Sequence, residues 1–253
     1  MNDSTKKNTY LKIGLLLVLL MMASLMFLFL DNKKQQRQEH HLQLITERYE
    51  RAYNTIYAQF KKLSTNVSIG VIERYDIVSM YQQLLTADTQ EKDRLRSKLF
   101  DKVRNRYESL KNAGNVRQLH FHLNTNESFL RFHRPEKYGD DLSDIRATVN
   151  FVNTIHLSVD GFEEGKIFNG YRFVFPITAP DNTHLGSMEV SFGPESMTSA
   201  LMKQYDVLSN FLIKDSVVRS KVFEEEIPAN YKESHFKGYL YDRNVLAELK
   251  NQS

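Results

Sequence analysis

Apolar and polar positions along this chain fall into four successive patterns. Ile13 to Leu30 is an uncharged apolar run of 18 residues. At about 1.5 Å rise per residue, about 20 such residues span a bilayer core. Next, apolar residues recur at Leu42, Ile45, Tyr49, Ala52, Ile56 and Leu63, with Gln59 at the missing seam position. That is an a/d heptad pattern with no Pro or Gly between Asp31 and Leu63, and it predicts one long helix. Two further helices are predicted: Tyr75 to Leu85, and Gln90 to about Lys111. The second is capped by Asp88 or Thr89, carries the stripe Leu95, Leu99, Val103, Tyr107 and Leu110, and stops at Asn112-Ala-Gly-Asn.

The period then changes to two. Gln118 to Leu123 alternates, Asn124 to Glu127 is turn-like, and Ser128 to Arg134 is a second strand ended by Pro135. Pairing Leu123 with Ser128 puts Leu119, Phe121, Leu130 and Phe132 on one face. His120, His122, Arg131, His133 and Phe129 then share the other. A helix follows from about Asp144 to His156, with Ser143 as its cap. Three strands come next, near Leu157–Phe162, Phe168–Pro176 and His184–Phe192. Within Tyr171 to Phe175 the aromatics face one way, and Arg172 and Val174 the other. Val207 to Ile213 is a candidate further strand. The class is α+β, a small antiparallel sheet flanked by helices.

Composition narrows the function. The 253 residues carry 34 Lys plus Arg against 31 Asp plus Glu, so a dedicated nucleic-acid binder is disfavoured. No cysteine is present, which excludes disulfides, thiol catalysis and iron–sulfur clusters. The apolar run exceeds a signal-peptide core and lacks a small-residue cleavage site, so it reads as an uncleaved anchor rather than a cleaved signal. Lys6, Lys7 and Lys12 precede it and Lys33, Lys34 and Arg37 follow, so charge alone does not orient it. The heptad helix suits either a dimerising stalk or an amphipathic helix packed on its own domain. No dinucleotide fingerprint, P-loop, nucleophile elbow or His-Glu-x-x-His occurs, so neither enzyme activity nor a cofactor is expected.

Three segments carry a family resemblance: Leu119-His-Phe-His-Leu with Ser128-Phe-Leu-Arg-Phe-His-Arg-Pro-Glu-Lys-Tyr-Gly-Asp-Asp-Leu, Gly161-Phe-Glu-Glu-Gly-Lys-Ile-Phe-Asn-Gly-Tyr-Arg-Phe-Val-Phe-Pro, and His184-Leu-Gly-Ser-Met-Glu-Val-Ser-Phe. Over roughly residues 35 to 215 the chain resembles the double Cache, PAS-like sensory domain of bacterial sensor kinases, diguanylate cyclases and chemoreceptors. The resemblance implies an extracytoplasmic, periplasmic ligand sensor held by a single pass in the bacterial inner membrane. It divides the chain into a cytoplasmic tail (1–12), a transmembrane helix (13–30) and stalk helices (31–115). A membrane-distal Cache lobe (116–206) and a partial membrane-proximal lobe (207–253) follow. Such proteins usually continue into a complete second lobe and an output module, so this second lobe reads as incomplete and the output module as lacking. The alternative is a membrane-tethered adaptor with a vestigial pocket.

The candidate site is Arg131, His133, Arg134 and Arg172, with Tyr171 or Phe129 against the apolar part of a ligand and Asp140 in the adjoining loop 136–146. Guanidinium forks match a carboxylate or another small anion. The competing arrangement pairs Arg131 and Arg172 internally with Asp140, Asp141 or Glu189. A metal at His120, His122 and His133 is disfavoured by Arg131 among them, so no metal is expected. A homodimer through the stalk remains a candidate, and the histidines are a candidate pH sensor.

Overall fold

The computed structural model describes residues 3–167 and 169–252. Phe168, expected to open a strand, lies outside them, as do Met1 and Asn2 of the tail and Ser253. The chain divides into two compact units, residues 1–51 and 52–253.

In the first unit the described residues form one helix, the start of α1 (Asp3–Arg74). Its apolar segment is long and apolar enough to cross a membrane, and none of it is buried in the protein. A helix apolar all round needs an apolar surround, so this segment does not earn its place by packing on its own chain. Leu42 and Tyr49 on the heptad seam are 63% and 50% exposed.

In the second unit α1 acquires a core. Ala52, Ile56, Val67 and Val71 are buried, followed by Asp76 in the left-handed region (φ 56°), which turns the chain into α2 (Ile77–Leu84). Helix α3 (Thr89–Gly114) starts at Asp88, whose carboxylate accepts from the Glu91 amide at 2.8 Å. Five antiparallel strands follow: β1 (Gln118–Leu123), β2 (Ser128–Arg131), β3 (Val159–Glu163), β4 (Gly170–Thr178) and β5 (His184–Phe192), in the order β2-β1-β5-β4-β3. One face carries Leu119, Phe121, Phe173, Met188, Val190 and Phe192 and packs on α1–α3. Phe60 stacks on Phe192 at 4.4 Å and Phe100 on Phe132 at 5.6 Å, so aromatic pairs seat the helices. Helix α4 (Ala147–Ile155) and the segment 133–146 cover the other face.

Three local expectations shift. Strand β2 ends at Arg131, and residues 132–133 form a turn. The β1–β2 ladder slips between Phe121 and His122, pairing His122 with Ser128 and leaving Phe129 as a bulge. Ser143 does not cap α4; its amide and hydroxyl turn back to Asp141 at 2.9 and 2.7 Å, and the helix starts after Arg146.

Beyond β5, α5 (Pro194–Tyr205) leads to β6 (Leu212–Lys214), shorter than the expected strand, and α6 (Asp215–Lys221). A 3-10 turn (Glu224–Glu226), α7 (Ile227–Asn230), β7 (Tyr231–Glu233), β8 (Tyr239–Asp242) and α8 (Arg243–Gln252) complete the chain. These strands form a second antiparallel sheet, β6-β8-β7, over a small core of Ile213, Val218, Val222, Tyr231 and Leu240.

The two parts of α1 should respond differently to truncation. Ile56→Ala, fully buried in wild type, should cost about 2–4 kcal/mol in urea unfolding. Leu42→Ala should cost under about 0.5 kcal/mol in the monomer.

Candidate functional site

The polar face of the sheet is built from side chains two residues apart on neighbouring strands. Cross-strand registry sets Arg131 opposite His120, His120 opposite Glu189, and Glu189 opposite Val174, with Arg172 opposite Ser191. All but Arg131 are buried. The segment before α4 adds Arg146, and the end of β3 adds Glu163, both also buried.

These make a closed square of charge. Arg146 donates through Nε to Glu163 Oε2 at 2.7 Å and through Nη2 to Glu189. Arg172 Nη1 donates to Glu189 Oε1 at 2.8 Å, and its Nε stands 3.5 Å from Glu163 Oε2. Glu163 also receives the Thr148 amide (3.2 Å) and hydroxyl (2.9 Å) in the first turn of α4. Burial alone would raise the Glu189 carboxyl; Arg146 and Arg172 overcome that and hold it far below the usual range.

The histidines behind the square are neutral. Burial pushes His120 well below its usual value and His122 down to about 3. His120 exchanges hydrogen bonds with Gln118 (3.0 Å) and Ser128 (2.8 Å), and His122 Nδ1 with Ser187 (3.0 Å). His122 Nε2 has no partner. Donor atoms of His120, His122 and Glu189 lie within 4.8 Å of one another. The set does not fit a cation: both His120 nitrogens are engaged, and two guanidiniums hold Glu189.

Above this floor lies a cavity of about 490 Å3. Its walls are the end of β2 and the turn beyond it (Arg131, His133, Arg134), the segment Glu136–Arg146, the loop residues Gly165, Lys166 and Ile167, and Phe223. Arg131 grips Asp140 through both Nη atoms, at 2.7 and 2.8 Å, and donates to the Lys137 carbonyl at 2.9 Å. Burial would raise the Asp140 carboxyl, but the Arg131 hydrogen bond and charge outweigh it and hold it ionised. His133 is pushed down to about 3, first by burial and then by Arg131.

Arg131, His133, Arg134, Arg172 and Asp140 therefore come together around one cavity. Tyr171 and Phe129 do not join them. Tyr171 faces the helices, 3.5 Å from the Tyr53 hydroxyl, as its parity opposite Arg172 requires. Phe129, displaced by the bulge, packs edge-on against Tyr81 under the Arg96 guanidinium. The internal pairing of Arg131 with Asp140 and of Arg172 with Glu189 is the arrangement present. Lys137, Tyr138 and Arg146 lie in the expected loop 136–146 but were not singled out within it, and Lys166 lies outside it; Tyr138 stacks under Arg96 at 3.5 Å.

A family model described as the double sensory domain of two-component sensor kinase, dCache_3, matches residues 43–253. The chain belongs to this family. No curated protein sequence matches it significantly. Among solved structures, this double Cache domain is similar to the extracellular domain of a protein described as a histidine kinase, vpHK1S-Z8. Identity is 14% over 80% of this chain and 89% of that one, with TM-score 0.37. A domain of a protein described as sensory box/GGDEF family, from Vibrio parahaemolyticus, gives 14% over 78% and 93%, TM-score 0.37. The ligand-binding domain of the Campylobacter jejuni chemoreceptor Tlp3 gives 11% over 66% and 69%, TM-score 0.35. At these values none of the three bears on what the cavity holds.

Two predictions follow from the charge square and its histidines. Glu189→Gln leaves two buried guanidiniums short of a counter-charge and should cost about 3–5 kcal/mol, read from chemical denaturation. Native His122 stays neutral while the unfolded imidazole protonates near 6.5. Its stabilisation is thus complete above that pH and is lost as pH falls towards about 3. His122→Asn should flatten the stability profile across that window by about 1.4 kcal/mol per pH unit; coincident profiles would show that His122 is not the titrating group.

Proposed function

We propose that this double Cache domain binds a small anion in the cavity, on Arg134, Lys137 and Lys166, and is held by α1 at a membrane. One observation carries the reading. Six cationic side chains line the cavity against the carboxylates of Glu136 and Asp140. Arg131, Arg146 and Arg172 are matched by Asp140, Glu163 and Glu189. Arg134, Lys137 and Lys166 have no carboxylate within ion-pair distance among the described residues. An anion entering here meets unspent positive charge at the mouth and guanidiniums beneath it, while Ile145, Ile167 and Phe223 offer apolar surface. The volume suits a molecule the size of a small carboxylic acid or phosphate ester.

The bare apolar stretch of α1 supports the anchor, with the sensory unit outside the cytoplasm as the family's description as a sensory domain suggests. The exposed seam at Leu42 and Tyr49 supports pairing of two copies along α1. Among the described residues lining the cavity, none is arranged as a nucleophile with its base, and the reading is binding rather than turnover.

Thermal unfolding against a panel of mono- and dicarboxylates, phosphate esters and neutral analogues tests this reading. Anions should raise the melting temperature and neutral analogues should not. Arg134→Ala and Lys166→Ala should each weaken the effective anion about tenfold or more with the unliganded melting temperature unchanged. A panel in which no anion moves the transition would remove the reading.

A further inference from the structure

The loop between β3 and β4 lines the cavity and also grips the C-terminal lobe. Gly165, Lys166 and Ile167 form cavity wall. On the lobe side, the Lys166 carbonyl accepts from the Phe223 amide at 2.9 Å, and the Ile167 carbonyl from Asn230 Nδ2 at 2.9 Å. At the ends of the loop sit Glu164 and Asn169, 3% and 1% exposed. Tyr231 of β7 donates its hydroxyl to Glu164 Oε2 at 2.8 Å. Asn169 Nδ2 donates to the Tyr231 oxygen at 2.9 Å and to Asp242 Oδ2, at the end of β8, at 3.1 Å. Asp242 Oδ1 caps α8 through the Asn244 and Val245 amides, at 2.8 and 3.1 Å. Arg117 holds the Asn169 carbonyl at 3.1 Å.

This cluster is short of hydrogens. Glu164 Oε1 and Asn169 Oδ1 are both buried without a partner. It is also short of free positive charge. Arg172, whose charge acts on Glu164, is engaged with Glu189, and Arg146 with Glu163 and Glu189. Arg117 is paired with Glu195 of α5 at 2.7 Å. Lys214 and Lys221 border the neighbouring groove, but neither stands within ion-pair distance of Glu164. Asp242 adds a second carboxylate to the same buried space. An unpaired buried charge is expensive, and so is a buried oxygen with no donor.

We propose that Glu164 is a proton-operated latch between the sensory sheet and the C-terminal lobe. Protonated, it supplies the donor that the cluster lacks, and the loop grips β7 and β8. Ionised, it leaves a buried charge beside Asp242 and loosens that grip. Burial, and to a lesser degree Asp242, push its carboxyl up to about 7 against the opposing pull of Tyr231, Arg172 and the Gly165 amide. A carboxyl whose native value lies above its unfolded value near 4.5 keeps its proton longer in the folded protein. Its stabilisation is therefore complete below that pH and is withdrawn as pH rises to about 7. The sign is opposite to that of His122, so the two groups are separable in one pH series. The latch stands on these contacts whether or not the cavity binds an anion.

The test uses the full chain in detergent micelles, without ligand. Glu164→Gln keeps an oxygen for Tyr231 and brings amide donors with no charge. Its melting temperature should match wild type at pH 5 and exceed it by about 4 °C at pH 8.5. In wild type alone, the amides of β7 and β8 should lose hydrogen-exchange protection between pH 5 and 8.5, beyond the intrinsic rate change, while those of β1 and β5 do not. A melting difference independent of pH, or β7–β8 protection that tracks β1 and β5, overturns the proposal. Should the variant fail to fold, the wild-type exchange profile decides alone.

Discussion

The structure depends on a square of four buried charges, Arg146, Glu163, Arg172 and Glu189. Removing four ions from water costs several kcal/mol each, and only close alternation of sign with every donor engaged recovers it. Here Arg146 and Arg172 each reach both carboxylates, and the spare capacity of Glu163 goes to the first turn of α4. The square therefore fixes β3, β4, β5 and the start of α4 relative to one another. It also obliges the sheet to keep its second face covered, since exposing one corner would strand the others. The segment 133–146 supplies that cover, and the cavity is the space it leaves.

Under the proposed reading, this arrangement limits which cations meet a ligand. A guanidinium mid-strand invites the idea of ligand recognition, and Arg172 fits that description. Yet it is committed to Glu189, and its withdrawal would uncover a carboxylate. The cations that can meet a ligand without loss to the fold sit on the turn after β2 and on the β3–β4 loop. Arg131 is intermediate: its partner Asp140 is half exposed, and an ion pair of that kind contributes at most about 1 kcal/mol. An incoming carboxylate could replace Asp140 at little cost.

Much of this was legible in residue order. The change from period 3.6 to period 2 at Gln118 marked the boundary between helices and sheet, and alternation gave the faces of β1, β4 and β5. The same parity placed Tyr171 opposite Arg172, so grouping both at one site conflicted with the strand pattern itself. Glu189, between Met188 and Val190 in a central strand, was a readable partner for Arg172. Phe129 was not readable, because a one-residue bulge exchanges the two faces and leaves no mark in composition. Ser143 looked like a helix cap, but Asp141 competes for its amide and hydroxyl, and Arg146 is drawn into the square before the helix begins. Arg146 itself gave no signal; a single arginine ahead of a helix ordinarily sits in solvent.

Stiff and soft parts of the molecule divide along the same lines. The sheet is locked by aromatic packing on one face and by the charge square on the other, so little of a ligand's binding energy can be stored there. The turn carrying Arg134, the stretch 136–140 and the loop joining β3 to β4 are held by polar contacts rather than by apolar packing. That loop touches both the cavity and the C-terminal lobe, through Lys166 against Phe223 and through Glu164 and Asn169 against Tyr231 and Asp242. A ligand that pulls on Lys166 acts on the same short segment that a proton on Glu164 restrains. Two inputs that bias one movable element are coupled by necessity, and the coupling is reciprocal. Under the proposed reading, anion affinity and the proton affinity of Glu164 are therefore linked, with the loop rather than the sheet as the element whose populations shift.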